Sequence, residues 1–159
     1  MRGIFFDMNI DILKTNSANP HFQSLVRELD YYLSIIDGEE HSFYAQYNKI
    51  SDINNCIVLF CDGVAVSCGA YKMYDEKTVE IKRMFTKEDY RGQGFAQMIL
   101  TLLEKWAREE GYIFTILETG NRQESAVNLY NKSGYEVIEN YGPYKNVENS
   151  ICFRKELYI

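Results

Sequence analysis

The chain has 159 residues, 46% hydrophobic and 25% charged, and its 17 basic and 23 acidic side chains leave a formal charge of -6. That length suits one domain, residues 1–159, with a substantial core, and the composition is ordinary for a soluble globular protein. No basic run interleaved with aromatics appears, which argues against broad electrostatic nucleic-acid binding, and no stretch approaches the roughly 18 apolar residues of a bilayer span.

From the N-terminus, the apolar run in MRGIFFDMNID is too short for a signal peptide and is broken by Asp7. A strand is expected around Ile10–Lys14, then a turn at Asn16–Pro20, with Pro20 at a first helical position. Phe22, Leu25, Val26, Leu29, Leu33 and Ile36 predict a helix up to Asp37–Gly38. Glu39–Lys49 is expected to form a shorter helix with Phe43, Tyr44 and Tyr47 on one face.

A β region follows. Cys56–Cys61 reads as a strand, Asp62-Gly63 as a type I′ hairpin turn, and Val64–Tyr74 and Thr78–Phe85 as two more strands. Phe95, Met98, Ile99, Leu102, Leu103 and Trp106 then mark the buried face of an amphipathic helix, with Gln97, Thr101, Glu104, Lys105 and Arg108 opposite and Gly111 as its stop. Ile113–Thr119 should be a buried strand parallel to Thr78–Phe85 through a strand–helix–strand crossover. Gln123–Ser133 should be a helix with Ala126, Leu129 and Tyr130 inward, followed by strands at Tyr135–Glu139 and Ser150–Glu156 around the Asn140–Asn149 loop.

The four cysteines, Cys56, Cys61, Cys68 and Cys152, form no CxxC pair and have no histidine-rich neighbourhood, so buried free thiols of a cytosolic protein are expected. His21 and His41 lack a neighbouring serine, aspartate or metal-ligand pattern and are expected at the surface or at helix ends. No metal is predicted. Lys82-Arg83 reads as one exposed and one inward-leaning charge of a strand. The expected location is cytoplasmic.

The costly feature is Arg91-Gly92-Gln93-Gly94 at a helix start, because each glycine inside a helix costs about 0.5–1 kcal/mol against alanine. Glycines there let an anion approach the free amides and positive end of the helix, and Arg91 adds charge. A tight turn with glycines for packing is the alternative. The run is not a P-loop, and a dinucleotide fingerprint lacks its third glycine at Gln97, although Glu118 lies where a ribose-binding acid would stand.

The order of elements and two motifs together resemble the GNAT superfamily of N-acetyltransferases. The family's pyrophosphate motif, Q/R-x-x-G-x-G/A, stands as Arg91-Gly92-Gln93-Gly94-Phe95-Ala96. The later A-x-x-L-Y-x-x-x-G-[FY] signature runs from Ala126 through Leu129 and Tyr130 to Gly134-Tyr135. The resemblance covers Cys56 to Leu157 well and the N-terminal helices by position. It departs at Gln123, where many members have Asn.

The resemblance implies an α+β fold of the acyl-CoA N-acyltransferase type. Its mostly antiparallel central sheet would splay between two parallel strands and be flanked by helices. It implies acetyl-CoA as donor and a small-molecule amine as acceptor, with a homodimer allowed; the charge pattern and the lack of a long apolar run add the expectation of no nucleic acid or membrane partner. Glu80 would be the base, directly or through water, and Tyr130 the acid for the CoA thiolate. Backbone at Met84 and Phe85 would hold the thioester and pantetheine, residues Arg91, Gly92, Gln93, Gly94, Phe95 and Ala96 the pyrophosphate, and Gln123 and Asn128 the pantetheine arm.

Tyr31, Tyr32, Tyr44 and Tyr141 are candidates for the acceptor walls. Leu117-Glu118-Thr119-Gly120 and the Asn140–Tyr144 loop also look similar to a bacterial subgroup labelled by indole-acetic acid. That label defines no acceptor, because indole-acetic acid lacks an amine. Acetylation of a small amine or amino acid, acetylation of protein amines, and acyl-CoA sensing without turnover all remain open at this point; retention of both Glu80 and Tyr130 favours catalysis.

Overall fold

The structure, a computed structural model, describes residues 8–38 and 52–158. Within them the chain runs β1 (Ile10–Thr15), α1 (Pro20–Asp37), β2 (Asn55–Cys61), β3 (Val64–Met73), β4 (Thr78–Thr86), α2 (Phe95–Glu109), β5 (Phe114–Gly120), α3 (Glu124–Lys132), β6 (Glu136–Ile138) and β7 (Ser150–Glu156). Among the described residues the strands form one seven-stranded sheet in the order β1-β2-β3-β4-β5-β7-β6. The expected helix at Glu39–Lys49, with Tyr44 and His41, lies outside the described residues.

Local chemistry sets the boundaries. Asn19 caps α1, its side-chain oxygen accepting from the amides of His21 at 2.9 Å and Phe22 at 3.0 Å, with Pro20 in the first turn. Asp62 and Gly63 have φ of 50° and 83°, the two left-handed residues that a type I′ hairpin requires. All four cysteines are buried free thiols, as expected. Burial alone pushes the Cys56 thiol up to about 12, which keeps it protonated and inert at neutral pH.

Helices cover both faces. On one, α1 packs Phe22, Leu25 and Val26 against Cys56, Val58, Cys68 and Ala70. On the other, α2 and α3 close over Ile57, Leu59, Val66, Tyr71, Val79, Ile81 and Phe153. Fully burying each large aliphatic or aromatic side chain of this kind stabilises by about 1.5–3 kcal/mol.

The buried stripe of α2 differs from the expected one. Phe95, Ile99, Leu100, Leu103, Glu104 and Ala107 are buried, whereas Met98 is 39% exposed and Leu102 and Trp106 are only partly covered. The face is rotated toward the smaller side chains Leu100 and Ala107. Glu104 goes inside because partners meet it there: Lys155 Nζ at 2.9 Å and the Tyr135 hydroxyl, which donates at 2.9 Å.

Two irregularities position the site. Between β3 and β4 the pairs are Cys68–Phe85 and Ala70–Lys82, so Arg83 and Met84 together oppose Gly69. This is a β-bulge, and Arg83 sits in it at φ 63°, a region that costs a non-glycine residue about 1–2 kcal/mol. Gly69 makes the bulge possible. A Cβ there would lie 2.5 Å from Met84 Sδ and 2.7 Å from Ile99 Cγ2.

The second irregularity is the parallel seam. β4 and β5 pair only at Thr78–Phe114, Val79–Thr115 and Glu80–Ile116, although both strands continue. Every other strand pair among the described residues is antiparallel. Beyond Glu80 the two strands separate, as the resemblance implied, and leave a fork in the sheet.

Candidate active site

The fork opens into a cavity of about 720 Å³. Its walls come from β4 (Glu80 to Thr86), the turn into α2, the end of β5, α3, and the inner side of α1. Each contributor is there for a local reason: the bulge turns β4, the short seam frees the strand ends, and the glycines shape the approach to α2.

That approach fits an anion. Gly92 and Gly94 have φ of 77° and 82°, and a Cβ at either would meet nothing within 4 Å. The glycines are thus required by backbone conformation and open approach, and not by packing against protein. No acceptor in the protein takes the amides of Phe95, Ala96 or Gln97 among the described residues, as befits the first turn of a helix. Arg91 stands beside them, its Nε donating to the Thr86 carbonyl at 3.0 Å and its guanidinium 4.8 Å from the Tyr32 ring.

At the crotch of the fork stand two carboxylates. Glu80, 7% exposed, accepts from the Tyr141 hydroxyl at 2.7 Å. Burial first, and then the charge of Glu80, pushes the Tyr141 hydroxyl far up, so it stays a donor. Glu118 lies on β5 past the last seam pair and accepts from the Ser150 hydroxyl at 2.7 Å. Burial, aided by the negative charges of Asp37 and Glu80, lifts its carboxyl from 4.5 to about 7.

Tyr130 reaches the cavity from α3. Its ring is wedged 5.7 Å from Tyr135 and 5.8 Å from Phe153, and burial raises its hydroxyl pKa, so it is protonated at neutral pH. A protonated, fixed phenol is fit to give a proton, not to take one.

Most of the sequence candidates meet in this one cleft. Glu80, Met84, Phe85, Arg91, Gly92, Gly94, Phe95, Ala96, Gln123, Asn128, Tyr130 and Tyr32 line it. Tyr141 touches it through Glu80. Gln93 does not line it; its side-chain oxygen is buried with no partner among the described residues. Tyr31 is 71% exposed on α1 and faces away, because its neighbour Tyr32 takes the inward position. Tyr44 lies outside the described residues. His21 is exposed in the first turn of α1, edge-on to Phe60 at 5.1 Å.

Sequence reasoning missed two groups. Glu118 was legible only as a ribose acid, because its proximity to Glu80 depends on the seam. Strand alternation would make Lys82 and Arg83 one outward and one inward charge. Both line the cleft, since the bulge breaks the strand's alternation after Lys82. Among the described residues no cluster of His, Cys, Asp and Glu side chains is placed to hold a metal ion.

The model of the Acetyltransferase (GNAT) family matches residues 19–135, which include the α2 turn, both carboxylates and Tyr130. The chain belongs to the GNAT family. As a GNAT chain it is an acetyl-CoA-dependent N-acetyltransferase. An IAA acetyltransferase of Azospirillum brasilense is 29% identical over 94% of this chain and 99% of its own length. A crystal structure from Klebsiella pneumoniae, assigned as an acyl-CoA N-acyltransferase, superimposes with a TM-score of 0.79 at 26% identity, covering 94% of this chain and 98% of that one. The fold is shared also with a GNAT acetyltransferase of Elizabethkingia anophelis that has acetyl-CoA bound, at a TM-score of 0.65 and 19% identity over 94% and 99% of the two chains. No described helix of this GNAT protein is long and apolar enough to cross a membrane.

Proposed function

We propose that the protein moves the acetyl group of acetyl-CoA to a primary amine of a small molecule or amino acid by direct attack in a ternary complex. One observation carries this reading: the open amides of the α2 turn, the paired carboxylates and the Tyr130 hydroxyl all face one cavity. The pyrophosphate sits on Arg91–Ala96, and the pantetheine arm runs between β4 at Met84–Phe85 and α3 at Gln123 and Asn128. The thioester then lies in the fork, between the carboxylates and Tyr130.

An ordinary amine with a pKa near about 10.4 is protonated at neutral pH and must lose a proton before it attacks. Glu80 takes that proton, directly or through a water shared with Glu118. The amine nitrogen bonds to the thioester carbon, the carbon–sulfur bond breaks, and the departing thiolate takes the Tyr130 proton; the second proton of the attacking nitrogen passes to the Tyr130 phenolate, which leaves a neutral amide and a neutral tyrosine. Amides on the unpaired edge of β4 stabilise the oxyanion between these events. The protein works in the cytoplasm in this reading, and a homodimer is compatible with it.

Thermal shift against acetyl-CoA, CoA and NAD, then thiol release from acetyl-CoA across an amine panel, tests the reading. Tyr130→Phe should lower kcat by about 10²-fold or more with acetyl-CoA affinity kept. Stabilisation by NAD alone would overturn the donor assignment. Unchanged turnover in both Tyr130→Phe and Glu80→Gln would overturn the residue roles, and tight acetyl-CoA binding with no thiol release would favour a sensor.

A further inference from the structure

Arg83 is a buried cation with two of its nitrogens unpaired. Its side chain is 1% exposed and lines the cavity. Nη1 donates to Asp30 Oδ1 on α1 at 3.0 Å, whereas Nε and Nη2 have no hydrogen-bond partner among the described residues. A buried donor left unpaired is costly, and more so on a charged group. Native proteins seldom leave two together.

The two orphans are neighbours on one edge of the guanidinium. Nε–H and the Nη2–H beside it point the same way and form the fork that takes both oxygens of a carboxylate. Asp30 holds the opposite corner and is itself 45% exposed, so it anchors the group and leaves that buried edge without a hydrogen bond. The bulge supplies the position. Lys82 shares its side of the sheet with its partner Ala70, which packs under α1, and Arg83 follows it to Asp30 on the same side.

The charges in the cleft are therefore sorted. Glu80 and Glu118 stand at the crotch of the fork, and Lys82 and Arg83 follow along β4 on the α1 side. A molecule with an ammonium at one end and a carboxylate at the other matches both sets. Burial weakens the hold of both cations on their protons, and an anion between them would restore it.

We propose that Arg83, assisted by Lys82, binds the carboxylate of the acceptor, so that the amine acetylated belongs to an amino acid or a related amino-carboxylate. The carboxylate end stands on the unpaired nitrogens of Arg83 and is independent of the transfer chemistry, while the amine end rests on the acetyl-transfer reading above.

Calorimetry on the CoA-saturated protein tests it with L-methionine, L-phenylalanine and L-glutamate, each beside its amide, decarboxylated amine and aminophosphonate. At least one acid should bind about 30-fold or more tightly than its amide and amine. Arg83→Met should bring that ratio near one while the thermal shift with acetyl-CoA stays that of the native chain. Where Arg83→Met does not fold, Lys82→Met should lower the ratio several-fold. No acid-selective binding in the set, equal losses for acid and amide in Arg83→Met, or tighter binding of the aminophosphonates would each overturn the proposal. Acid-selective binding without thiol release would support this subsite and overturn the transfer reading.

Discussion

Replacing Glu118 by Gln removes a titration that should be visible in the stability of the whole protein. The carboxyl moves from 4.5 in the open chain to about 7 in the fold, chiefly because burial disfavours its charge. At about 1.36 kcal/mol per unit this disfavours the ionised form by about 3 kcal/mol, and water at the cleft mouth trims the effect to about 2–3 kcal/mol. The folded pKa is raised, so the folded protein binds the proton more tightly than the unfolded chain does. The stabilisation is fully present below about pH 4.5 and is lost as pH rises through about 7. The amide of the Glu118→Gln variant stays neutral throughout. Urea unfolding of both proteins from about pH 5 to about pH 9 should show the native chain losing about 2 kcal/mol relative to Glu118→Gln, the rest of the effect lying below about pH 5. Ser150→Ala removes the hydroxyl that favours the charged form and should move the midpoint above about 7. A difference that is flat with pH, or that grows in favour of the native chain as pH rises, would refute the account of this carboxylate.

Gly69→Ala should destabilise by about 1–3 kcal/mol in urea, because the new Cβ would press on Met84, Ile99 and also Leu103 Cδ1 at 3.0 Å. Its acetyl-CoA thermal shift should fall too, since Met84 is pushed into the cleft. Lys155→Met takes the counter-charge from the Glu104 carboxylate, whose side chain is 6% exposed, leaving it the Tyr135 hydroxyl, and should cost about 2–4 kcal/mol in the same unfolding assay. Adding Glu104→Gln should recover part of that loss, and a double variant less stable than Lys155→Met would contradict the pairing.

Where a local rule decides the outcome, the sequence was transparent. Asp62-Gly63 has one cheap conformation between two β-rich runs, and Gly92 and Gly94 one plain reason to precede a helix. The strands flanking α2 had to be parallel because a crossover helix joins them. What escaped was decided by tertiary fit. The stripe of α2 turned because Lys155 and Tyr135, on elements distant in sequence, offered Glu104 a better place than water. Arg83 escaped because its bulge is visible only when Gly69 is seen facing Met84 across the sheet. The proposed acceptor side suffered most, since Glu118, Arg83 and Tyr141 gain their meaning from neighbours on other elements.

The three-residue seam has a mechanical consequence. Strands β1 to β4 form one antiparallel raft, β5, β7 and β6 a second, and among the described residues the strand pairing between them is confined to Thr78–Glu80 against Phe114–Ile116. The α2 amides belong to the first raft and α3 to the second, so a ligand lying across the fork works as a rivet between them. Hydrogen exchange at the seam should then slow on ligand binding more than exchange in the interior of β2 and β3, whose amides are already held on both sides.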